Sequence, residues 1–256
     1  MSPVQNLEIP NALRSVEQSL TPKDQTPPGA AVPAPPCQRL FGGLFVRRER
    51  WSLSRRGKLI ALVVVICTFA VVQRAIHPFL AVTKPMHAAI LVVDGSALPY
   101  SFRQTAQEYR RRGYQRVLVV KGVYEKEDLA ESNWSSVDYA AGLLLKEGMP
   151  KDRVDKMSFL ITRKDRTYHS ALAVKKWFAE QGNAVKSIDV ATLGAHARRS
   201  RLLYQKAFGD DAKVGIIAMT SQTYDPDHWW RSSEGVREVL GESIAYLYAR
   251  FFFSPQ

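Results

Sequence analysis

The sequence predicts an α/β protein whose folded domain is a mainly parallel five-stranded sheet with helices on both faces, preceded by one transmembrane helix. Two observations carry this prediction. After residue 86, five short apolar runs alternate with helical patterns of roughly 10–15 residues, which is typical of a parallel sheet covered by helices. Before it, Leu59–Val72 is uncharged, almost wholly apolar and without a polar face.

The five apolar runs are the predicted strands. The first is continuously apolar, as expected for a strand buried on both faces. The strands are expected at Ala88–Val93, Arg116–Val120, Met157–Thr162, Ser187–Thr192 and Val214–Met219.

Helical spacing of apolar residues fills the intervals, and glycines end several of these segments. The last segment is expected to be one long helix or two. The helices are expected at Pro99–Arg112, Ser135–Glu147, Thr167–Gln181, Ala195–Phe208 and His228–Phe252.

The apolar run Leu59–Val72 is short for a span, which needs about 20 residues. Extension to Gly57 and through Ile76 reaches that length, with Lys58 and Arg74 able to snorkel. A cleaved signal peptide is disfavoured because some fifty residues precede the run, and a core helix because no polar face exists. Basic residues crowd the preceding segment, which predicts a cytoplasmic N-terminus and an exported C-terminal domain in the inner (cytoplasmic) membrane.

Composition divides the rest of the chain. Residues 1–38 hold eight of the fourteen prolines and are expected to be a disordered tail. Residues 39–58 form a basic juxtamembrane segment, 59–76 the anchor, 77–86 a linker and 87–256 the domain. The net charge is +12, but its excess lies beside the anchor, so we do not expect nucleic acid as a partner. The domain has no cysteine, which excludes a disulfide or a zinc–thiolate site there.

Unusual polar residues follow the first four predicted strands. These are Asp94, Lys121, Arg166 and His196. Because ligands of open parallel sheets bind at the carboxyl ends of the strands, this edge is the predicted binding site.

Basic residues also crowd the start of the fourth helix of this domain. His196, Arg198, Arg199 and Arg201 lie where the helix dipole is positive, so an anion or a buried acid is expected nearby. The alternative is a solvated face of long side chains. One of Glu234, Glu238 and Glu242, which share a helix face, is a candidate partner for the arginines.

His196 is the candidate general acid or base. Arg103, Arg166, His196 and Arg199 are expected to converge around a crevice. Thr167 is also a plausible N-cap, and Asp94-Gly95-Ser96 is alternatively an ordinary turn.

The absence of an HExxH pattern argues against a metal, and no cofactor is identified. The candidate ligand-binding residues are Asp94, Gly95, Ser96, Arg103, Lys121, Gly122, Asp138, Arg166, Thr167, His169 and Arg199.

Two adjacent tryptophans, Trp229 and Trp230, begin the last helical segment. They are expected to pack in the core, with a roof over the site or a contact with the membrane interface as alternatives.

The order of these motifs resembles the YdcF/SanA/ElyC-like family, a domain of unknown function. The resemblance runs from about His87 to the C-terminus. It rests on the glycine turn Asp94-Gly95-Ser96, on a His-x-x-Arg element at His196 and Arg199, and on further matches at Arg103, Ala106, Tyr109, Asp138 and Gly148-Met149-Pro150. The strand end Lys121-Gly122-Val123 matches in part. The family's Asn-Thr-x-Glu-Asn signature is here Arg166-Thr167-Tyr168-His169-Ser170, with only the threonine retained.

The resemblance implies a Rossmann-like three-layer fold and a bacterial protein linked to cell-envelope biogenesis or barrier function, with no agreed reaction. Three functions remain open from the sequence. The domain binds an anionic or nucleotide-like ligand or a lipid-linked precursor, it is a non-catalytic scaffold module of an envelope complex, or it is a nucleotide-cofactor enzyme. Loss of His196 should abolish catalysis and should be tolerated by a scaffold.

Overall fold

The computed structural model describes residues 39–40, 44–47, 51–95, 97–123, 137–182 and 184–255. The predicted disordered tail, residues 1–38, and the candidate Ser96 lie outside the described residues. The chain divides into two compact units, residues 1–62 and 63–256.

The first unit contains a small antiparallel sheet that the sequence analysis did not predict. Its strands are β1 (Arg39–Leu40), β2 (Phe45–Arg47) and β3 (Trp51–Leu53), in the order β1-β2-β3. Segment 39–58 therefore carries regular structure in addition to its basic charge.

Helix α1 spans Arg55–Leu80 and contains the predicted anchor. Its most apolar window has a mean hydropathy of 2.5, and none of that window is buried inside the protein. Within the described part of the chain, α1 is the one helix long and apolar enough to cross a membrane.

The second unit is built on a five-stranded parallel sheet in the order β6-β5-β4-β7-β8. The strands are β4 (Ile90–Asp94), β5 (Arg116–Val123), β6 (Val154–Leu160), β7 (Ser187–Leu193) and β8 (Lys213–Met219). The chain builds outward from β4 to β6 and then returns to place β7 on the other side of β4. This reversal makes a topological switch point between β4 and β7.

Helices cover both faces of this sheet, which gives the predicted Rossmann-like α/β fold. They are α2 (Pro99–Arg112), α3 (Val137–Lys146), α4 (Arg166–Glu180), α5 (Ala197–Phe208) and α6 (Ser233–Phe251). Short 3-10 helices lie at Lys151–Arg153, Gly194–His196 and Pro226–Arg231.

Alternate residues of β4 supply two separate cores, as the pleat of a strand requires. Leu91 and Val93 pack with Phe102 of α2 and with residues of α3. Val92 packs on the other face with residues of α4 and α5. The α2 and α3 helices therefore form one layer, and α4 and α5 the opposite layer.

The segment predicted as linker is packed against the domain. Helix α1 continues through Pro78 to Leu80, whose side chain is fully buried. Lys84 then pairs with Ile216 of the edge strand β8. Helix α1 thus runs past the proline because its last turn is held by tertiary contacts.

Those contacts involve the C-terminal end of α1. The Trp229 indole Nε1–H donates to the Gln73 carbonyl over 2.9 Å. His77 Nε2 lies 3.1 Å from the Tyr224 hydroxyl, and the Phe79 and Tyr246 rings meet edge to face. Trp229 is buried, which agrees with the packing expected for it.

Candidate functional site

A cavity of about 470 Å³ lies at the carboxyl edge of the sheet. Asp94 at the end of β4 and Thr192 near the end of β7 border it, so it occupies the switch point. Helices α4 and α5 supply one side, and α6 supplies Ala245, Tyr248 and Ala249. This is where doubly wound sheets bind their ligands.

Two helices start at this cavity without a side-chain cap. Asp165 precedes α4 and His196 precedes α5, and neither side chain accepts a capping hydrogen bond. The first turn of a helix leaves N–H donors without intrahelical partners and carries the positive end of the dipole. The start of α4 makes the cavity favourable to an anion. Helix α5 instead continues the 3-10 helix Gly194–His196, and its first N–H, that of Ala197, already donates to the Gly194 carbonyl.

Arg199, on the first turn of α5, forms a two-point ion pair with Glu242 of α6. Its Nε donates to Oε2 over 2.7 Å and its second terminal nitrogen donates to Oε1 over 2.8 Å. The remaining terminal nitrogen donates to the Thr167 hydroxyl over 3.3 Å. The acid expected near the basic cluster is therefore Glu242, as the four-residue spacing suggested.

His196 belongs to the same group. Its Nδ1 lies 2.9 Å from Glu242 Oε1 and 2.9 Å from an Arg199 nitrogen. Burial by itself raises the pKa of Glu242, but hydrogen bonds from Arg199 and His196 outweigh it and lower that pKa to about 2. Glu242 is thus a carboxylate at neutral pH.

The position of the proton on His196 decides what this imidazole can do. When Nδ1 carries the proton and donates to Glu242, Nε2 is an acceptor able to take a proton from a bound molecule. When Nδ1 is unprotonated, it accepts from Arg199 instead and Nε2–H is a donor. A carboxylate at Nδ1 also fixes the orientation of the ring. The arrangement is compatible with a general base.

Ser200 is the one buried side chain in the described part of the chain whose polar atom has no hydrogen-bond partner. The residue borders the cavity and is 2% exposed. A buried hydroxyl without a partner costs free energy, which a ligand acceptor can relieve. The neighbouring hydroxyls of Ser170 and Tyr204, in contrast, lie 3.3 Å from each other.

A second cavity of about 240 Å³ adjoins the first, since Asp94, Thr192 and His196 border both. Its other charged lining residues are Glu238 and Glu242. Burial and then repulsion from Glu242 raise the pKa of Glu238, whose carboxylate accepts from the Tyr224 hydroxyl over 3.4 Å. His196 therefore stands between the larger cavity, whose lining holds two arginines and the acids Asp94 and Asp165, and the smaller cavity, whose other charged residues are all acids.

Six of the predicted residues border the larger cavity. They are Asp94, Gly122, Arg166, Thr167, His196 and Arg199. The expected convergence of four side chains thus holds for Arg166, His196 and Arg199.

Arg103 is not brought to this cavity. It lies on α2, in the opposite helix layer, and pairs with Glu147 over 3.3 Å at an exposed position. Asp138 likewise lies on α3, where it pairs with Lys156. Both residues line neither cavity because the sheet separates their layer from α4 and α5.

Three further candidates also lie outside both cavity linings. The Gly95 N–H donates to the Val120 carbonyl over 2.7 Å, and Lys121 donates to the Gly95 carbonyl over 3.3 Å. The first bond extends the parallel pairing of β4 with β5 by one residue, and the second holds the Lys121 side chain against the end of β4. His169 packs edge to face against Tyr168.

Thr167 as an N-cap is a wrong prediction. Helix α4 begins one residue earlier and Asp165 is its N-cap, in a left-handed conformation with φ of 52°. The Thr167 hydroxyl accepts from Arg199 instead.

The sequence analysis missed part of the lining. Tyr204, Tyr248 and Phe253 border the larger cavity, and their helical spacing indicates only that they are apolar residues of α5 and the end of α6. The place of Ser200 near the predicted start of α5 was the available signal for that residue, but serines beside helix starts are common and usually act as caps.

Comparisons with known proteins give a limited result. No family model matches the chain, and no curated protein matches it. The universal stress protein from Archaeoglobus fulgidus in complex with dAMP is similar at 19% identity over 50% of this chain and 94% of that chain, with a TM-score of 0.28. The pantothenate synthetase from Thermus thermophilus is similar at 11% identity over 67% of this chain and 78% of that chain, with a TM-score of 0.33. At these values the likeness assigns neither a family nor a ligand to this chain.

Proposed function

We propose that this chain is a membrane-anchored protein that binds an anionic, nucleotide-like small molecule or a phosphorylated envelope precursor in the larger cavity. The observation that carries the proposal is the lining of that cavity. The uncapped start of α4, the Arg166 side chain and the buried Ser200 hydroxyl all border one space. Each favours a negatively charged or hydrogen-bond-accepting group.

The ion pair between Glu242 and Arg199 limits the part that Arg199 has in this proposal. It neutralises Arg199, so Arg199 serves mainly to hold α5 against α6. Arg166, the backbone N–H groups of the first turn of α4 and the Ser200 hydroxyl are the other groups of the lining that favour an anion. The wall from α6 is apolar, and it suits an apolar or aromatic part of the ligand.

The test is direct binding to the full chain in detergent micelles, measured by calorimetry. The probes are AMP, inorganic pyrophosphate, and adenosine as the control without phosphate. We expect the phosphate-bearing probes to bind and adenosine to bind far more weakly. Arg166→Ala should weaken binding by about tenfold or more, and Ser200→Ala by several-fold, since charged and neutral hydrogen bonds contribute about 1.5–3 and 0.5–1.5 kcal/mol.

Arg103→Ala is the matched control, because it removes an arginine from the opposite helix layer. It should leave the affinity for the probes unchanged. Equal effects of the Arg103 and Arg166 substitutions, or no binding of either phosphate probe, would refute the proposed site.

A catalytic role for His196 is a second candidate, favoured by the contact of its Nδ1 with Glu242. His196→Gln should then abolish activity in cells while the protein stays folded. Full activity of this variant would instead support the non-catalytic scaffold.

For the whole protein, the proposal places α1 across the inner membrane of a bacterium, with the N-terminus in the cytoplasm and residues 87–256 exported. The basic residues of segment 39–58 support this orientation. The proposal also includes membership of the YdcF/SanA/ElyC-like family and a role in cell-envelope biogenesis or barrier function. A reporter fused after Gln256 should behave as exported, and a cytoplasmic reporter at that position would refute the orientation.

A further inference from the structure

Helix α6 presents a stripe of large apolar side chains to solvent. Leu240, Ile244, Leu247 and Phe251 are spaced by four, three and four residues, so they share one face of the helix. Ile244 and Phe251 are 70% and 71% exposed. Single exposed apolar residues are ordinary, but a continuous stripe along a helix indicates an interaction surface.

The charged residues of α6 lie on different sides of the helix relative to this stripe. Arg237 and Arg250 are exposed, and the Arg250 guanidinium lies over the neighbouring Phe251 ring. Of the acids, Glu238 and Glu242 border the smaller cavity, and Glu234 is exposed on the first turn of the helix, where it interacts with Arg237. An apolar face with basic margins is the pattern of helices that lie in a bilayer interface, where arginines meet anionic headgroups.

The helix that bears the stripe contacts the end of the candidate span. Leu59–Ile76 has a helical length of about 27 Å, which fills most of a hydrocarbon core of about 30 Å. The next turn of α1 therefore emerges at the headgroups. That turn is held on the domain, because Phe79 packs on Tyr246 of α6 and Leu80 is fully buried.

Tyr246 lies between Ile244 and Leu247 in the sequence, so the helix that bears the stripe is fixed to the point where α1 leaves the bilayer. We propose that α6 lies on the lipid surface with this stripe inserted among the headgroups and upper acyl chains. The inference rests on the proposed membrane span of α1. Lipid is the favoured occupant because the stripe and its basic margins belong to the helix on which the end of α1 is docked.

The proposal has a consequence for the ligand cavity. Tyr248 is 51% exposed beside the stripe, and it also lines the larger cavity. A wall of that cavity is then formed by a helix that rests on lipid.

The test uses the full chain with Cys37→Ser and Cys67→Ala, reconstituted in vesicles of phosphatidylcholine and phosphatidylglycerol. Single cysteines are introduced as Ile244→Cys and, separately, Leu247→Cys, and are labelled with an environment-sensitive fluorophore. Val65→Cys in α1 reports on the span. Asp152→Cys is the control, because it is 76% exposed and lies beside β6, at the sheet edge opposite to β8.

We expect nitroxide-labelled lipids to quench the labels at 65, 244 and 247 and to leave the label at 152 unchanged. Quenching at 65 without quenching at 244 and 247 would overturn the lipid contact while retaining the span. Absence of quenching at all four positions would overturn both the span and this inference. Crosslinking between copies through position 244, without lipid quenching there, would identify a second copy of the chain as the occupant and overturn the inference.

Discussion

Arg199 and Glu242 join α5 to α6 through two parallel hydrogen bonds of 2.7 and 2.8 Å. The two side chains are only 19% and 15% exposed. An arginine on the first turn of a helix is unfavourable toward the helix dipole, and the carboxylate of Glu242 offsets that cost. Arg199 borders the larger cavity and Glu242 the smaller one, so this ion pair lies between the two spaces.

Replacement of Arg199 with Ala should therefore destabilise the protein. The sequence analysis left an anion or a buried acid as the partner of the basic cluster, and an external anion alone predicts a fold that is unchanged or slightly more stable without Arg199. With Glu242 as its partner, the substitution leaves a largely buried carboxylate with His196 alone, and we expect a loss of about 3 kcal/mol in unfolding free energy. This loss can be measured by denaturant unfolding of the full chain in detergent micelles.

Two variants control this experiment. Arg103→Ala removes an arginine from an exposed pair and should change stability by less than about 0.5 kcal/mol. Arg199→Met combined with Glu242→Leu removes both charges and should recover most of the loss, since an apolar pair avoids the cost of desolvation. If Arg199→Ala alone is as stable as the parent protein, the pair is not a stabilising contact.

The lowered pKa of Glu242 predicts a specific pH dependence of stability. Its pKa is about 2 in the folded protein against a reference value of 4.5. Glu242 therefore stabilises the fold at pH values above its unfolded pKa, by on the order of 3 kcal/mol, and this contribution is lost as the pH falls from about 5 to 2. Glu238, whose pKa is raised, acts in the opposite sense.

Unfolding free energies measured between pH 7 and pH 3 should show this difference. Glu242→Gln should remove the part of the acid dependence that Glu242 supplies, and its curve should be flatter than that of the parent protein. Parallel curves for the two proteins would contradict the assigned role.

The elements predicted most accurately are those with local signals. Helix α2 has the predicted bounds because Pro99 starts it and Gly113 ends it in a left-handed conformation with φ of 71°. The sequence analysis ended the anchor helix at residue 76, before its observed end at Leu80, because tertiary contacts extend the helix and the local sequence does not show them. A proline at position 78 normally ends a helix, and only the packing of Leu80 and its neighbours explains its continuation.

The site was predictable to the extent that it depends on strand direction. Parallel strands bring their carboxyl ends to one edge, and this places Asp94, Arg166 and His196 together without any knowledge of strand order. The prediction that Arg103 joins the site was wrong because its position depends on which face of the sheet α2 covers. That face follows from the strand order and from the handedness of the crossover. The apolar periodicity of α2 gives no information about the strand order or the handedness of the crossover.

Gly215 of β8 should not tolerate a side chain. A Cβ at this position would collide with the Asp189 carboxylate and lie 2.6 Å from the Met86 nitrogen. Asp189 is fully buried and cannot move aside freely, because it accepts from Met86 N–H over 2.7 Å and from the Tyr114 hydroxyl over 2.8 Å. Gly215→Ala should therefore lower the unfolding free energy by about 3 kcal/mol or more.

Gly142→Ala is the matched substitution for Gly215→Ala. Gly142 lies in α3, and nothing stands within 4 Å of a Cβ placed there. Alanine should raise stability by up to about 1 kcal/mol because it is the better helix former. Thermal unfolding of both variants distinguishes the positions, and equal stability would show that the interior around Asp189 can expand.

Ser200→Ala should stabilise the protein when the cavity holds no ligand. The Ser200 hydroxyl is buried without a partner, so its removal relieves a cost of about 1–3 kcal/mol. Ser101→Ala is the matched control, since Ser101 is also buried but donates to the Leu98 carbonyl over 2.6 Å. That substitution should destabilise the protein by about 1 kcal/mol.

The same pair of variants separates a binding role from a packing role when unfolding is repeated with saturating pyrophosphate. A ligand that accepts from Ser200 stabilises the parent protein more than the Ser200→Ala variant, by the difference in binding free energy. The advantage of Ser200→Ala should therefore shrink or reverse with the ligand, while the deficit of Ser101→Ala should stay constant. An advantage of Ser200→Ala that is unaffected by the ligand would remove Ser200 from the site.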